Sequence, residues 1–138
     1  MSIRYTDKRS FTAKQLEELF LSVNWESGKY PERLKIALDN CGSVFTAWDG
    51  DKLVGLANGI DDGEMTAYVH YLLVAPEYQG QGIATALLDL MKKRYSGYHH
   101  FFLVAEHKEL VGFYEKLGFM EQSETSVMLY KGHNDDQY

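Results

Sequence analysis

Residues 78–88 read YQGQGIATALL, with Gly80 and Gly82 one residue apart and Ile83, Ala84 and Thr85 opening an apolar helical pattern. Glycine has no side chain to keep a ligand from its amide, and a helix starting there adds roughly half a positive charge from its dipole. The pair therefore suits an anion, above all a phosphate or pyrophosphate. A nucleoside-triphosphate loop needs Lys and Ser/Thr after its last glycine, where this chain has Ile83-Ala84. A dinucleotide fingerprint needs a third glycine, a start directly off a strand and an acidic residue ~20 positions on. Here Thr85 holds the third position, Pro76, Glu77, Tyr78 and Gln79 intervene, and the region of His99 and His100 has no carboxylate. A tight turn that binds nothing is the other reading of the motif alone.

Such a turn has to be held between a strand and a helix, and the flanking pattern supplies both. EMTAYVHYLLVA is a long strand that becomes continuously apolar toward Leu72, Leu73 and Val74, as a strand covered on both faces does, and Pro76 ends it. Ile83, Leu87, Leu90 and Met91 form the stripe of the helix that follows, with the basic run Lys92, Lys93, Arg94 at its C-terminal end. Upstream lies an extended segment, Ser2 to Thr6. A helix comes next, started by Thr12 and Gln15 in capping-box spacing, striped by Leu16, Leu19, Phe20 and Val23, and stopped near Asn24. A second helix starts at Pro31 and runs to Cys41, with Gly42 as its stop. SVFTAW and KLVGLANGI around Asp49-Gly50-Asp51 form a hairpin, and Asp61-Asp62-Gly63 turns the chain into the long strand. After it, HHFFLVA is a strand, KELVGFYEKLG a short helix stopped by Gly118, and Phe119-Met120 and TSVMLYK close the sheet. The order is β-α-α-β-β-β-α-β-α-β-β, an α/β (α+β) arrangement.

At 138 residues, with 45% hydrophobic and 25% charged side chains and no repeat, the chain is expected to form one domain over 1–131 with a polar tail, GHNDDQY, at 132–138. The net charge of −6, with basic residues scattered, argues against a nucleic-acid partner and suits a small cationic substrate. MSIRYTDKRS has charges where a signal peptide would need its apolar run, and no stretch approaches the ~18 apolar residues of a membrane span, so a cytoplasmic protein without a membrane partner is expected. The single cysteine, Cys41, falls on a helical stripe with Leu34, Ala37 and Leu38 and reads as buried packing. No metal-ligand spacing stands out.

Gln79-Gly80-Gln81-Gly82-Ile83-Ala84, placed after a strand ending LLVAPEY and before a helix, resembles the Gln/Arg-x-x-Gly-x-Gly/Ala signature of the GNAT (GCN5-related) N-acetyltransferases. FYEKLGF, Phe113 to Phe119, resembles the family's second landmark, and the element order extends the resemblance over nearly the whole chain. Within the family the chain looks most like a small bacterial branch and arylalkylamine-type (serotonin-like) enzymes. The resemblance implies acetyl-CoA as co-substrate, its pyrophosphate on the amides of Gln79 to Ala84 with Thr85 beside them. It implies pantetheine pairing with the backbone of Leu72, Leu73 and Val74, where the fourth and fifth strands splay. Many relatives pair through their late strands, which makes a homodimer an expectation.

Acetyl transfer from a thioester to an amine requires the neutral amine, although a free alkylamine has a pKa near ~10. A base or water relay must take its proton, a donor must hold the tetrahedral oxyanion, and an acid helps the thiolate leave. By resemblance Val74 is the oxyanion donor and Tyr114 the general acid, close to the cofactor's sulfur. Leu110, Phe113, Tyr114 and Leu117 also form a helical stripe, so packing is the competing role for Tyr114. His70, with an imidazole pKa near ~6.5, is the candidate base. Tyr71 should alternate to the other face, so only one of the two can point into the site. Glu106 and His107 are rival bases. Trp25 and Tyr30, beside the two early helices, and Trp48 are aromatic candidates for the acceptor pocket, with core packing as the alternative for each. Lys92, Lys93 and Arg94 could reach a 3′-phosphate or simply be solvated. The reading is N-acetyl transfer from acetyl-CoA to a primary amine of a small molecule, with peptide amines next. A non-catalytic acyl-CoA sensor and an interaction module with a purely structural turn are the alternatives.

Overall fold

Thr12 starts the first helix through the reciprocal bonds its spacing predicts. Its hydroxyl accepts from the Gln15 amide at 3.1 Å, and the Gln15 side chain accepts from the Thr12 amide at 2.9 Å. That helix, α1 (Ala13–Ser22), ends in a Schellman motif. Asn24 takes the left-handed conformation (φ 60°), its amide donates to the Leu21 carbonyl at 3.0 Å, and the Trp25 amide donates to the Phe20 carbonyl at 3.1 Å. The Trp25 ring then meets Phe20 edge-on, 6.0 Å between centroids, which is the apolar contact that accompanies the motif. In this computed structural model, residues 2–130 are described, and the chain divides into one compact unit through Leu103 and a second from Val104.

In the first unit a 3-10 turn over Glu26–Lys29 leads to α2 (Pro31–Asn40), which buries Leu34 and Leu38. Cys41 is half-buried against the core, while Ala37 is exposed and does not join the stripe. Gly42 is needed for space rather than for a helix stop, because a Cβ there would run into the Asp61 carboxylate. Five strands, β1 (Arg4–Thr6), β2 (Ser43–Asp49), β3 (Lys52–Asp61), β4 (Thr66–Val74) and β5 (His100–Leu103), form one sheet in that order. All neighbours are antiparallel except β4 and β5, which are parallel.

Leu16, Leu19 and Phe20 of α1 and Leu34 and Leu38 of α2 pack with Val44, Trp48, Leu53, Leu56 and Leu73 of the sheet. The next helix, α3 (Ile83–Arg94), buries Ile83, Leu87, Leu88 and Met91 over Gly55, where a Cβ would stand 3.1 Å from Ile83 and 3.2 Å from Leu87. Leu56 faces the α1–α2 core and Gly55 faces α3, so strand alternation puts the helices on opposite faces. The parallel ladder runs from Thr66 opposite His100 to Val69 opposite Leu103 and stops. Among the described residues no strand is paired with residues 71–74 on that side. Among the described residues the ladder thus ends where the family resemblance implies the splay.

In the second unit a 3-10 turn over Lys108–Leu110 precedes α4 (Val111–Lys116). Leu110, Tyr114 and Leu117 are half-buried, whereas Phe113 is 36% exposed and leaves the stripe. The closing strands are a correction to the predicted order. Phe119-Met120 and the described part of TSVMLYK join no ladder among the described residues, and Val127, Met128, Leu129 and Tyr130 are 60–90% exposed. A strand-like pattern makes a strand only when a neighbour takes up its amides and carbonyls. Lys131 and the tail at 132–138 lie outside the described residues. Among the described residues no helix is long and apolar enough to cross a membrane.

Candidate active site

The turn after β4 is built as a cradle for an anion. Gly80 and Gly82 both take left-handed φ, 80° and 84°, which non-glycine residues adopt only with strain, and nothing lies within 4 Å of where either Cβ would be. Gly82 caps α3 without a side-chain bond. The first intrahelical amide is that of Ala86, which donates to the Gly82 carbonyl at 3.0 Å. The amides of Ile83, Ala84 and Thr85 thus have no partner inside the helix, and its first turn holds no acidic residue.

Two side-chain pairs tie the entry to this turn onto the β2–β3 hairpin. Tyr78 donates its hydroxyl to the Asp49 carboxylate at 2.5 Å, which is the main reason its phenol pKa is raised. Lys52 and Glu77 pair at 2.7 Å, with the Lys52 ammonium 5.3 Å from the Tyr78 ring. That hydrogen bond raises the Lys52 pKa and lowers that of Glu77, and both groups are exposed. The sequence marks Asp49 only as part of the hairpin turn, and no signal in it assigns Asp49, Lys52 or Glu77 to this site.

At the end of β4 the Ala75 amide donates to the Val54 carbonyl of β3 at 2.8 Å. Successive amides of a strand point to opposite edges, so the Val74 amide and carbonyl face away from β3, toward the side on which no described strand pairs with them. The Gln79 side-chain amide donates to the Val74 carbonyl at 2.9 Å. Val74 is therefore presented by its amide at the open edge, and Leu72 shares that direction, while Leu73 turns to β3 and the core.

The expected alternation of His70 and Tyr71 does not hold. Ala57 pairs with Leu72 but Gly59 with Val69, so β4 carries an extra residue opposite Asn58. The bulge leaves the His70 and Tyr71 rings stacked, centroids 4.0 Å apart and planes at 25°. Tyr71 lies 4.9 Å from Phe20 and 5.8 Å from Trp25, and its hydroxyl shares a 2.8 Å hydrogen bond with that of Ser27. His70 continues outward to Tyr68 at 6.0 Å, and Tyr68 to Phe102 at 5.2 Å. Trp25 thus joins Tyr71 and His70 in one wall. Tyr30 stays apart, with the Arg33 guanidinium 5.8 Å from its ring. Trp48 is core, 5% exposed with its indole N–H donated to Thr46 at 2.8 Å. Among the basic run, Lys92 pairs with Asp89 at 3.6 Å and Arg94 donates to the Gly42 carbonyl.

Within the second unit Tyr114 is half-buried, and burial first and then the Glu106 carboxylate push its phenol pKa up. Glu106 and His107 are exposed. Gly118 is left-handed (φ 99°), its amide donates to the Glu115 carbonyl at 3.1 Å, and the Phe119 amide donates to that of Tyr114 at 3.1 Å. This is a second Schellman motif, and it explains the residue types in FYEKLGF.

Residues 10–119 match the acetyltransferase (GNAT) family. The chain belongs to the GNAT family. It is 29% identical over 126 residues to an uncharacterized N-acetyltransferase, ycf52, of the alga Pyropia yezoensis, covering 86% of this chain and 71% of that protein. It is 36% identical over 85 residues to N-alpha-acetyltransferase 30 of Schizosaccharomyces pombe, covering 54% of this chain and 55% of the yeast protein. Among solved structures, a GNAT-family acetyltransferase of Streptococcus pneumoniae superposes with a TM-score of 0.82 at 28% identity, over 94% of this chain and 97% of that one. The protein has the GNAT fold and is an N-acetyltransferase that uses acetyl-CoA. The finer likeness to arylalkylamine enzymes is corrected, since these relatives are of the ycf52 and N-alpha-acetyltransferase kinds.

Proposed function

We propose that this GNAT enzyme transfers acetyl from acetyl-CoA to a primary amine of a small molecule in the cytoplasm, by direct attack through a tetrahedral intermediate. The observation that carries the reading is the pairing of two left-handed glycines at the start of α3 with the end of β4 immediately before them, residues 71–74, which no described strand pairs on the β5 side. The pyrophosphate lies on the amides of Gln79 to Ala84 with Thr85 beside them, and pantetheine runs along the backbone of Leu72 to Val74 as an added strand. The thioester then stops beside the Val74 amide, which donates to the oxyanion. His70, directly or through water, takes the amine proton. Tyr114 gives its proton to the departing thiolate, which a phenol can do at neutral pH because it is protonated there even at its ordinary pKa, and burial raises that pKa further. Trp25 and Tyr71 line the acceptor side, with Tyr30 at its margin.

An α-amino group is the second acceptor to consider, because one relative is by name an N-alpha-acetyltransferase. Its lower pKa, ~8 against ~10 for an alkylamine, asks less of the base. Transfer measured over a panel of alkylamines and short peptides, with CoA release and product mass read together, distinguishes them. Amine-dependent CoA release with an acetylated small amine supports the proposal, and acetylation confined to peptides replaces the acceptor. Acetyl-CoA binding without transfer to any amine would leave a sensor. A chain gaining no thermal stability from CoA, where a hundredfold excess over Kd should add about 2.7 kcal/mol, would have a purely structural turn.

A further inference from the structure

A regular strand cannot put consecutive side chains on one face, because its side-chain period is two. In β4 it is broken at the two residues nearest the acceptor wall, and the break has an identifiable support. Asn58, 2% exposed in β3, accepts the Tyr71 amide with its side-chain carbonyl at 2.8 Å. The bulge costs β4 a ladder partner, and a buried amide left without an acceptor costs about 1–3 kcal/mol. The Asn58 oxygen supplies the missing acceptor. Leucine, of similar volume, has none, and the neighbouring Gly59 has no room for a Cβ beside the Tyr95 hydroxyl.

We propose that Asn58 is a positioning residue for the acceptor side of the reaction: it holds the β4 bulge that places His70 against Tyr71, so that base and acceptor wall form one surface. The proposal rests on the acetyl-transfer reading for its kinetic consequence but not for its structural one. From Asn58 the chain of contacts runs through the Tyr71 amide to the stacked imidazole at 4.0 Å, and through the Tyr71 hydroxyl to Ser27 in the connection between α1 and α2. Removing the acceptor should release both, while the glycine turn, beyond the C-terminal end of β4, makes no bond to Asn58.

The test compares the full chain with Asn58→Leu and Asn58→Asp, the latter keeping an acceptor oxygen. In the wild type the NMR signal of the His70 Cε1 proton is expected upfield of its unstructured position, from the Tyr71 ring current. In Asn58→Leu that displacement disappears and kcat/KM for the amine falls at least about fivefold, the lower end of what an unsatisfied buried group costs. The Kd for acetyl-CoA stays within about twofold, as expected where the bonds of a site are intact, and Asn58→Asp retains both the ring-current shift and most of kcat/KM. An unshifted His70 proton in the wild type overturns the proposal whether or not the leucine variant folds. So does a shift that survives in Asn58→Leu, or a parallel loss of amine and acetyl-CoA parameters, which would mark a purely structural role. If no amine is acetylated by any form, the functional reading fails, and the ring-current result still decides the place of Asn58.

Discussion

Phe119 holds Tyr114 twice: its amide donates to the Tyr114 carbonyl at 3.1 Å, and its ring stands edge-on to the tyrosine, 6.2 Å between centroids at 77°. Gly118 makes both contacts possible, because only a left-handed residue between them turns the chain back onto the last helical turn. Alanine at that φ costs about 1–2 kcal/mol. Gly118→Ala is therefore expected to speed hydrogen exchange of the Phe119 amide about five- to thirtyfold and to lower kcat. Unchanged exchange in the variant would show that the motif does not hold the tyrosine.

Tyr114 itself should act through its hydroxyl. Tyr114→Phe is expected to lower kcat by about tenfold or more, within the usual range for a general acid, with the KM for acetyl-CoA nearly unchanged. Turnover equal to wild type would remove it from the mechanism. Its pKa is raised, so the protonated acid persists above the ordinary tyrosine value of 10.0, and the alkaline fall of kcat should lie above that pH. Removing the carboxylate in Glu106→Gln should move the fall to lower pH, though not fully to the ordinary value, because burial is the larger cause.

The hairpin ties predict a different kinetic signature. Tyr78→Phe removes the bond to Asp49 and loosens the approach to Gly80, so the KM for acetyl-CoA should rise severalfold with kcat little changed. Lys52→Met should do less, because the Lys52–Glu77 pair is exposed. A fall in kcat at constant KM in either variant would place these residues elsewhere in the mechanism.

Stability at high pH should depend on Tyr95. This side chain is 2% exposed, its hydroxyl bonds to Ser43 and Asp61 at 2.6 Å each, and its pKa is pushed up to about 12, by burial first and the Asp61 bond second. The folded state holds the proton more tightly than the unfolded chain does. The contribution is therefore full below the ordinary value of 10.0 and is lost as pH rises toward about 12. Denaturant midpoints of wild type should fall through that window, and those of Tyr95→Phe should fall less. Parallel curves would contradict the assignment.

Features carried by neighbouring residues could be read in the sequence: the Thr12–Gln15 box, the stop at Asn24, Pro31 at a helix start, the hairpin at Gly50, and the two glycines before α3. Their causes lie within a few residues of chain. The stacking of His70 on Tyr71 could not be read, because it depends on Asn58 in the next strand, and the alternation rule has no term for a bulge. Gly42 reads locally as a helix stop, whereas its constraint comes from Asp61 across the fold. TSVMLYK has the composition of a strand, yet its described part joins no ladder among the described residues, and composition does not say which strand would take up its backbone groups.

The claim on which the rest depends is that the turn at Gly80 and Gly82 holds the CoA pyrophosphate beside the open edge of β4. Titration of the 15N-labelled chain with CoA, and separately with pantetheine, which lacks the pyrophosphate, tests it amide by amide. The account predicts that CoA shifts the amides of Gly80, Gly82 and Ile83 together with those of Leu72 and Val74, and that pantetheine shifts Leu72 and Val74 without the other three. Binding of CoA that leaves Gly80 and Gly82 unmoved would contradict it.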